Sequence, residues 1–213
     1  MADNIADIRK DYKLRSLLEE DVDADPVKQF MQWWNEALES KIEEVNAMTL
    51  ATCDKNGKPS ARIVLLKGFD EKGFIFFTNY DSRKGEELKE NPYACLVFFW
   101  RELERQIRIE GPVKKLSKKE SDEYFVLRPE QSRIGAWSSP QSQVIKSRKV
   151  LESNFSKYLQ LFSDSTILRP PHWGGYIVNP EVIEFWQGRP NRMHDRLRYS
   201  IDNDKWKIER LAP

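Results

Sequence analysis

The sequence predicts a mainly β, α+β fold: one antiparallel β-barrel with helical insertions. Three observations carry this. Three strand-like runs, 47–53, 60–67 and 74–78, follow one another across short turns built on Asn56-Gly57 and Gly73, the pattern of a meander rather than of βαβ units. Strand patterns outnumber helical ones, and helices interrupt the β run at only two places. No repeat, low-complexity tract or linker appears. Residues 25–213 therefore read as a single domain preceded by an N-terminal arm, 1–24.

Each element has its own signal. Residues 3–18 read as a highly charged helix with a narrow stripe of Ile5, Ile8 and Tyr12, an arm free to fray or to act as a lid. Asp25-Pro26 opens a helix, with Asp as N-cap and Pro at the first position. Val27, Phe30, Met31, Trp34 and Leu38 recur at helical spacing as its inward face, down to Lys41. Ser82 caps a short helix that stops at Asn91-Pro92, and the apolar run 93–100 reads as a buried strand. In 105–110, Ile107 and Ile109 face one way and Gln106, Arg108 and Glu110 the other. Ser117-Lys-Lys-Glu120 is a capping box for a helix ending at Arg128-Pro129. Residues 130–143 read as irregular. A longer helix covers 144–162, with Val150, Leu151, Phe155, Tyr158 and Leu159 inward. The closing strands are 174–178, 182–186, 194–200 and 206–210, with Asp202-Asn-Asp204 at the last hairpin.

Composition excludes several classes. Of the 213 residues, 39% are hydrophobic and 32% charged, as in a globular protein with a core. A formal net charge of +1 provides no global field for nucleic acid or membrane, so anion binding must come from local clusters. No apolar run approaches the ~20 residues of a membrane helix. The charged N-terminus lacks a signal-peptide core, which makes the cytoplasm the expected compartment. Cys53 and Cys95 form no CxxC and read as buried free thiols, and two isolated histidines, His172 and His194, make no metal site. There is no GxGxxG, no GxxxxGK[ST] and no GxSxG.

What remains is a set of polar clusters at strand ends and helix starts: Arg62 with Lys67, Arg83 with Lys84, Gln106 with Arg108, Arg128 with Ser132, Gln141 with Ser142, and Arg192 through Arg196. Arginine and lysine recognise phosphate, and Ser82 sets Arg83 and Lys84 at a helix N-terminus where free N–H groups also attract anions. Alternation would put Arg62 and Lys67 on opposite faces, so either a bulge separates them or they serve different ligands. If the chain is extended after the turn Gly188-Arg-Pro-Asn191, then Arg192, His194 and Arg196 share one strand face. Three potential cations there need an anion or an electron-rich ring; the alternative is a solvated edge strand that carries charge against edge pairing. Anion clusters with many aromatics and no nucleophile suit a cofactor that brings its own reactivity.

Eight short motifs occur in one order: Arg62-Ile-Val-Leu-Leu-Lys67, Phe77-Thr-Asn79 with Ser82-Arg-Lys84, Glu104-Arg-Gln106, Ile134-Gly-Ala-Trp137, Gln141-Ser142, Glu184-Phe-Trp-Gln-Gly188, Arg192-Met-His-Asp-Arg196 and Arg210-Leu-Ala-Pro213. From about Asp25 to the last residue the chain resembles the pyridoxine/pyridoxamine 5'-phosphate oxidase family. The resemblance implies an FMN-binding split β-barrel, a homodimer with FMN at the interface, and oxidation of pyridoxine or pyridoxamine 5'-phosphate to pyridoxal 5'-phosphate with O2 reduced to H2O2. By motif, the FMN contacts are Arg62, Ile63, Val64, Leu65, Leu66, Lys67, Phe77, Thr78, Arg83, Lys84, Gln106, Gln141, Ser142, Trp186 and Arg196. Lys67, Tyr124, Arg128 and Ser132 fall near the substrate phosphate, and Arg192, Met193 and His194 by its ring, with Arg192 and His194 as the catalytic pair. Arg9 and Tyr12 match the arm that closes over the substrate. Phe77 stands where the family often has Tyr, and Met193 where it often has Leu; backbone contacts survive either change. A flavin reductase of the same barrel class and a non-catalytic carrier of pyridoxal phosphate are the competing readings. The first does not need Lys67, Tyr124, Arg128 and Ser132, and the second does not need flavin contacts.

Overall fold

The computed structural model describes residues 4–5 and 10–213. Among them lie five α-helices and ten strands, and β4 with β3 and β7, β6 with β7 and β8, and β9 with β8 and β10 all pair antiparallel. The chain divides into two compact units. The first comprises Met1–Thr49, Cys95–Glu110 and Pro180–Pro213, and the second Leu50–Ala94 and Gly111–Asn179. No helix among the described residues is long and apolar enough to cross a membrane.

The first unit contains helix α1, Pro26–Glu39, which starts as expected: Asp25 accepts from the Val27 N–H and Pro26 takes the first turn. Its inward face differs from the expected one. Met31 and Leu38 are exposed, and Trp33 and Ala37 are buried with Val27 and Phe30. Two stripes at helical spacing share Phe30 and Val27, and tertiary packing selects between them. Trp33 sits edge-on to Phe185 at 5.1 Å, and the Arg105 guanidinium lies 4.1 Å from its ring centroid. Three strands follow: β6, Arg105–Lys115, whose first half pairs with β8, Val182–Gln187, which pairs with β9, Asp195–Asp202. β10, Lys205–Arg210, closes the edge on β9. One face is core: Ile107, Ile109, Ile183, Phe185, Leu197 and Tyr199 are all fully buried. Each such side chain contributes roughly 1.5–3 kcal/mol.

The helix expected over 3–18 falls partly outside the described residues, as Ile8 does, and it is absent from 10–18, which carry no helical turn. A 3₁₀ turn follows at Glu19–Asp21. A charged sequence with a three-residue stripe cannot bury enough surface to pay for helix nucleation, and side chains elsewhere capture its backbone instead.

The second unit contains β2, Pro59–Leu65, β3, Gly68–Asp70, β4, Gly73–Asn79, and β7, Trp173–Val178. β4 pairs with β3 and β7, and β7 pairs with the end of β6. Strands β1, Ala47–Cys53, and β5, Tyr93–Trp100, with β6, contribute residues to both units. Gly73 has φ +143°, and a Cβ there would meet the Val178 carbonyl oxygen at 2.1 Å, so the tight β3–β4 turn requires glycine. Helices α2, Arg83–Glu90, and α3, Lys118–Val126, carry the expected Ser82 cap and Ser117/Glu120 capping box. Residues 130–143 are a correction: Glu130–Ser138 is a helix, α4. It has no side-chain cap and only a thin apolar stripe, but Ile134 and Ala136 join a cluster with Phe125, Ile167 and Trp173. Helix α5 is Arg148–Leu161, four residues later in starting than expected (148 against 144), and Leu159 is exposed rather than inward. Cys53 and Cys95 are free thiols, half-buried rather than buried.

Candidate active site

In the second unit, β2 stops at Leu65, and Leu66 and Lys67 form a break before β3. The break ends the alternation and lets Arg62 and Lys67 line one pocket, which resolves their odd separation. That pocket, about 330 Å³, is lined by Arg62, Ile63, Val64, Leu65, Lys67, Phe77, Thr78, Lys84, Tyr124, Arg128, Gln141 and Trp173. All but Trp173 were expected from the sequence. Four expected residues of this unit stand outside its lining. Leu66 is buried, Ser132 is exposed on α4, Ser142 is exposed with φ 70°, and Arg83 is exposed with its Nε 2.8 Å from Glu87 Oε1.

Two features define the pocket's chemistry. Lys84, 8% exposed, donates to Thr78 Oγ1 at 3.1 Å, Ser82 Oγ at 3.1 Å and Gln141 Oε1 at 2.8 Å. These partners are neutral. Burial, reinforced by the Arg62 charge and offset in part by Glu87, pulls its pKa to about 8. The second is an aromatic wall: Phe77 stacks on Tyr124 at 3.8 Å and 14°, and on Trp173 at 5.4 Å and 13°. Arg128 lies 4.5 Å above the Trp173 ring, and its buried Nη1 has no hydrogen-bond partner. A buried ammonium served only by neutral groups and an unpartnered guanidinium nitrogen are costly unless an anion meets them. The donor set fits a phosphate and the wall fits a flat ring, as FMN and a pyridine phosphate both require.

Sequence reasoning missed what holds Arg62. Glu87 is buried on α2 and accepts from Thr52 Oγ1, Ser60 Oγ, Arg62 and Arg83. Burial pushes its pKa up, but these four donors outweigh it and bring it to about 2. The Arg83/Glu87 spacing at i,i+4 was its one sequence signal.

In the first unit, Gln106, Trp186 and Arg196, from three separate motifs, fall in one cross-strand row of β6, β8 and β9. Beside it Glu184, 2% exposed, holds Arg196 Nε at 2.7 Å and Arg108 Nη2 at 2.8 Å. Arg196 also donates to the Ala212 carbonyl, so the C-terminal residues orient it.

Arg192 and His194 do not share a strand face: β9 begins only at Asp195, and Arg192 ends a 3₁₀ turn, Pro190–Arg192. Asn191 and Arg192 have φ 55° and 60°, left-handed geometry that costs a non-glycine residue about 1–3 kcal/mol and collects at functional sites. The Arg189 N–H donates to His194 Nδ1 at 3.1 Å, so neutral His194 carries its proton on Nε2. Burial, then the Arg192 charge, lowers its pKa, with Asp195 opposing. Tyr12 lies edge-on to Trp186 at 5.7 Å and tilted to His194 at 5.9 Å. A pocket of about 590 Å³ is lined by Lys10, Asp11, Tyr12, Arg189, Asn191, Arg192 and His194. Met193 is exposed, and Arg9 lies outside the described residues.

The chain matches two family models: residues 34–162 match pyridoxamine 5'-phosphate oxidase, and residues 173–213 the pyridoxine 5'-phosphate oxidase C-terminal dimerisation region. It is 57% identical, over the full length of both chains, to a pyridoxine/pyridoxamine 5'-phosphate oxidase of Cyanothece sp.. A protein of that name from Paraburkholderia xenovorans is 57% identical over 99% of each chain. Among solved structures, PhzG from Burkholderia lata, in complex with tetrahydrophenazine-1-carboxylic acid, is similar with a TM-score of 0.88 and 32% identity over 94% of this chain and 99% of that one. A pyridoxamine 5'-phosphate oxidase-related, FMN binding protein of Nostoc punctiforme shares the fold at a TM-score of 0.71 and 18% identity, covering 90% of this chain and 100% of that one. The expected fold class, an antiparallel split barrel, is thereby shown, and the chain is an oxidoreductase of the pyridoxine/pyridoxamine 5'-phosphate oxidase family.

Proposed function

We propose that the protein oxidises pyridoxine 5'-phosphate or pyridoxamine 5'-phosphate to pyridoxal 5'-phosphate, as a cytoplasmic homodimer with FMN held at the subunit interface. Residues 25–213 act as the working domain and 1–24 as its arm. The carrying observation is Lys84, a buried cation with neutral partners only, in a pocket that also presents Arg62, Lys67 and Arg128. When bound, FMN would supply the redox chemistry, as hydride acceptor at N5 for the substrate carbon that bears the alcohol or amine and as electron donor to O2, which yields H2O2; the amine substrate would take up water and release ammonia.

The chain's own residues bind and orient. Arg62, Arg83 and Lys84 with Gln141 and Ser142 hold FMN on its phosphate side, and Gln106, Trp186 and Arg196 complete its contacts. Ile63, Val64, Leu65, Leu66, Lys67, Phe77 and Thr78 supply the rest. Lys67, Tyr124, Arg128 and Ser132 take the substrate phosphate. Arg192 presses on the substrate ring and stabilises developing negative charge, since a guanidinium does not accept protons at neutral pH. His194 serves as a donor through Nε2–H: taking up a proton at Nδ1 would cost the Arg189 hydrogen bond. That favours positioning over general-base work.

The test is the visible spectrum of the FMN-reconstituted protein, to which pyridoxine 5'-phosphate is added without oxygen. Bleaching reversed by air with peroxide formation is the expected result. A bound flavin that stays oxidised rejects the substrate, and a protein that binds pyridoxal phosphate but no flavin would be a carrier.

A further inference from the structure

Glu104 has a place in the molecule that neither its motif nor the chemistry above accounts for. It is 3% exposed and sits in the left-handed region at φ 55°, ψ 40°, at the end of the 3₁₀ turn Arg101–Leu103. Glutamate gains nothing there of its own, and a non-glycine residue held so is a pointer to function. Its two ends grip two different segments. The carboxylate Oε2 accepts the backbone N–H groups of Lys13 at 2.8 Å and Leu14 at 3.1 Å, and Oε1 lies 3.5 Å from Lys10 Nζ. Its carbonyl accepts the Gly188 N–H at 2.7 Å and Gln187 Nε2 at 3.2 Å. Tyr12, next to the gripped N–H groups, lies against Gly188 so closely that a Cβ on Gly188 would meet its ring at 2.6 Å.

We propose that Glu104 is a positioning residue that seats the arm: it joins residues 13–14 to the Gln187-Gly188 corner and so sets Tyr12 on the Trp186–His194 pair, forming one wall of the pocket that Arg189 and Arg192 line from the other side. The contacts farther along the arm act in the same direction. Leu17 N–H donates to Asp195 Oδ2, and Arg189 and Arg210 donate to the Arg15 and Leu17 carbonyls. Glu104 differs from these in being buried and in holding the two residues that directly follow Tyr12. This rests on the proposed substrate pocket, but its physical core, the docking of the arm, does not.

The experiment compares wild type, Glu104→Ala, Glu104→Gln and Tyr12→Ala as FMN-loaded full chains. Trypsin cleavage after Lys10, Lys13 and Arg15 is followed by intact mass, alongside KM and kcat for pyridoxine 5'-phosphate. Glu104→Ala is expected to speed cleavage at least about tenfold, the loss of two charge-assisted hydrogen bonds. It should raise KM several-fold with FMN affinity unchanged. Glu104→Gln keeps a carbonyl acceptor and should cleave at an intermediate rate. If Glu104 acts through Tyr12, adding Tyr12→Ala to Glu104→Ala raises KM no further. Wild-type cleavage in Glu104→Ala would overturn the proposal, as would fast cleavage with an unchanged KM. If Glu104→Ala does not fold, the glutamine variant carries the same two readouts. A wild-type protein that leaves pyridoxine 5'-phosphate untouched defeats the functional reading, while the cleavage rates still decide whether Glu104 holds the arm.

Discussion

Lys84 offers the sharpest test of the phosphate reading. Its pKa sits at about 8 because burial disfavours the ammonium and Arg62 adds repulsion. The unfolded chain protonates this lysine up to its ordinary value of 10.5. Between the two, the folded state binds fewer protons, so folding stability from this group rises with pH. Binding of a phosphate has the opposite sign, because the anion needs the charged lysine. As pH climbs past about 8, FMN must bring a proton with it, and its Kd should rise about tenfold per pH unit, or ~1.4 kcal/mol. Between about pH 7 and 9 the total loss is therefore near tenfold. The assay is quenching of flavin fluorescence on titration with protein, with riboflavin, which has no phosphate, as control. Lys84→Arg, whose charge persists through this range, should flatten the FMN profile. A flat profile for wild-type FMN binding, or an equal slope for riboflavin, would refute the assignment of Lys84 to the phosphate.

Other expectations follow from the same structure. Arg192→Ala should lower turnover by about 10²-fold and weaken substrate binding with FMN retained; loss of flavin from a folded variant would break that division of roles. Trp33→Ala removes a 3%-exposed side chain packed on Phe185 and should cost about 3–5 kcal/mol in urea unfolding, whereas Met31→Ala, at a 48%-exposed position, should stay within about 1 kcal/mol. Glu184→Leu leaves Arg108 and Arg196 without their shared carboxylate and should destabilise by about 3–5 kcal/mol, read from the same unfolding curves. Gly188→Ala should displace Tyr12 and raise the rate of arm cleavage, because its new methyl would meet the ring at 2.6 Å.

Sequence alone was sufficient for the antiparallel class and for the α1, α2 and α3 starts, while the family resemblance supplied most of one pocket. The class and the helix starts rest on local physics. Caps at Asp25, Ser82 and Ser117, the turns at Gly57 and Gly73, and the alternation through Ile107 and Ile109 are decided within a few residues of chain. The family resemblance assigned Arg62 and Lys84 to FMN and Arg128 to the substrate phosphate, and the fold brings all three to one pocket. Tertiary structure decided the rest. Which of two overlapping stripes α1 buries depends on Phe185 and Arg105, both distant in sequence. Helix α4 has no cap and forms because Ile134 and Ala136 find a core. Residues 10–18 carry no helical turn, and Glu104 and Asp195 capture the N–H groups of Lys13, Leu14 and Leu17, which no local propensity announces. No local signal in the sequence marks Glu87 and Glu184 as buried counter-ions. Only the fold buries them beside their arginines, where the low dielectric makes each carboxylate decide where its guanidinium partners sit.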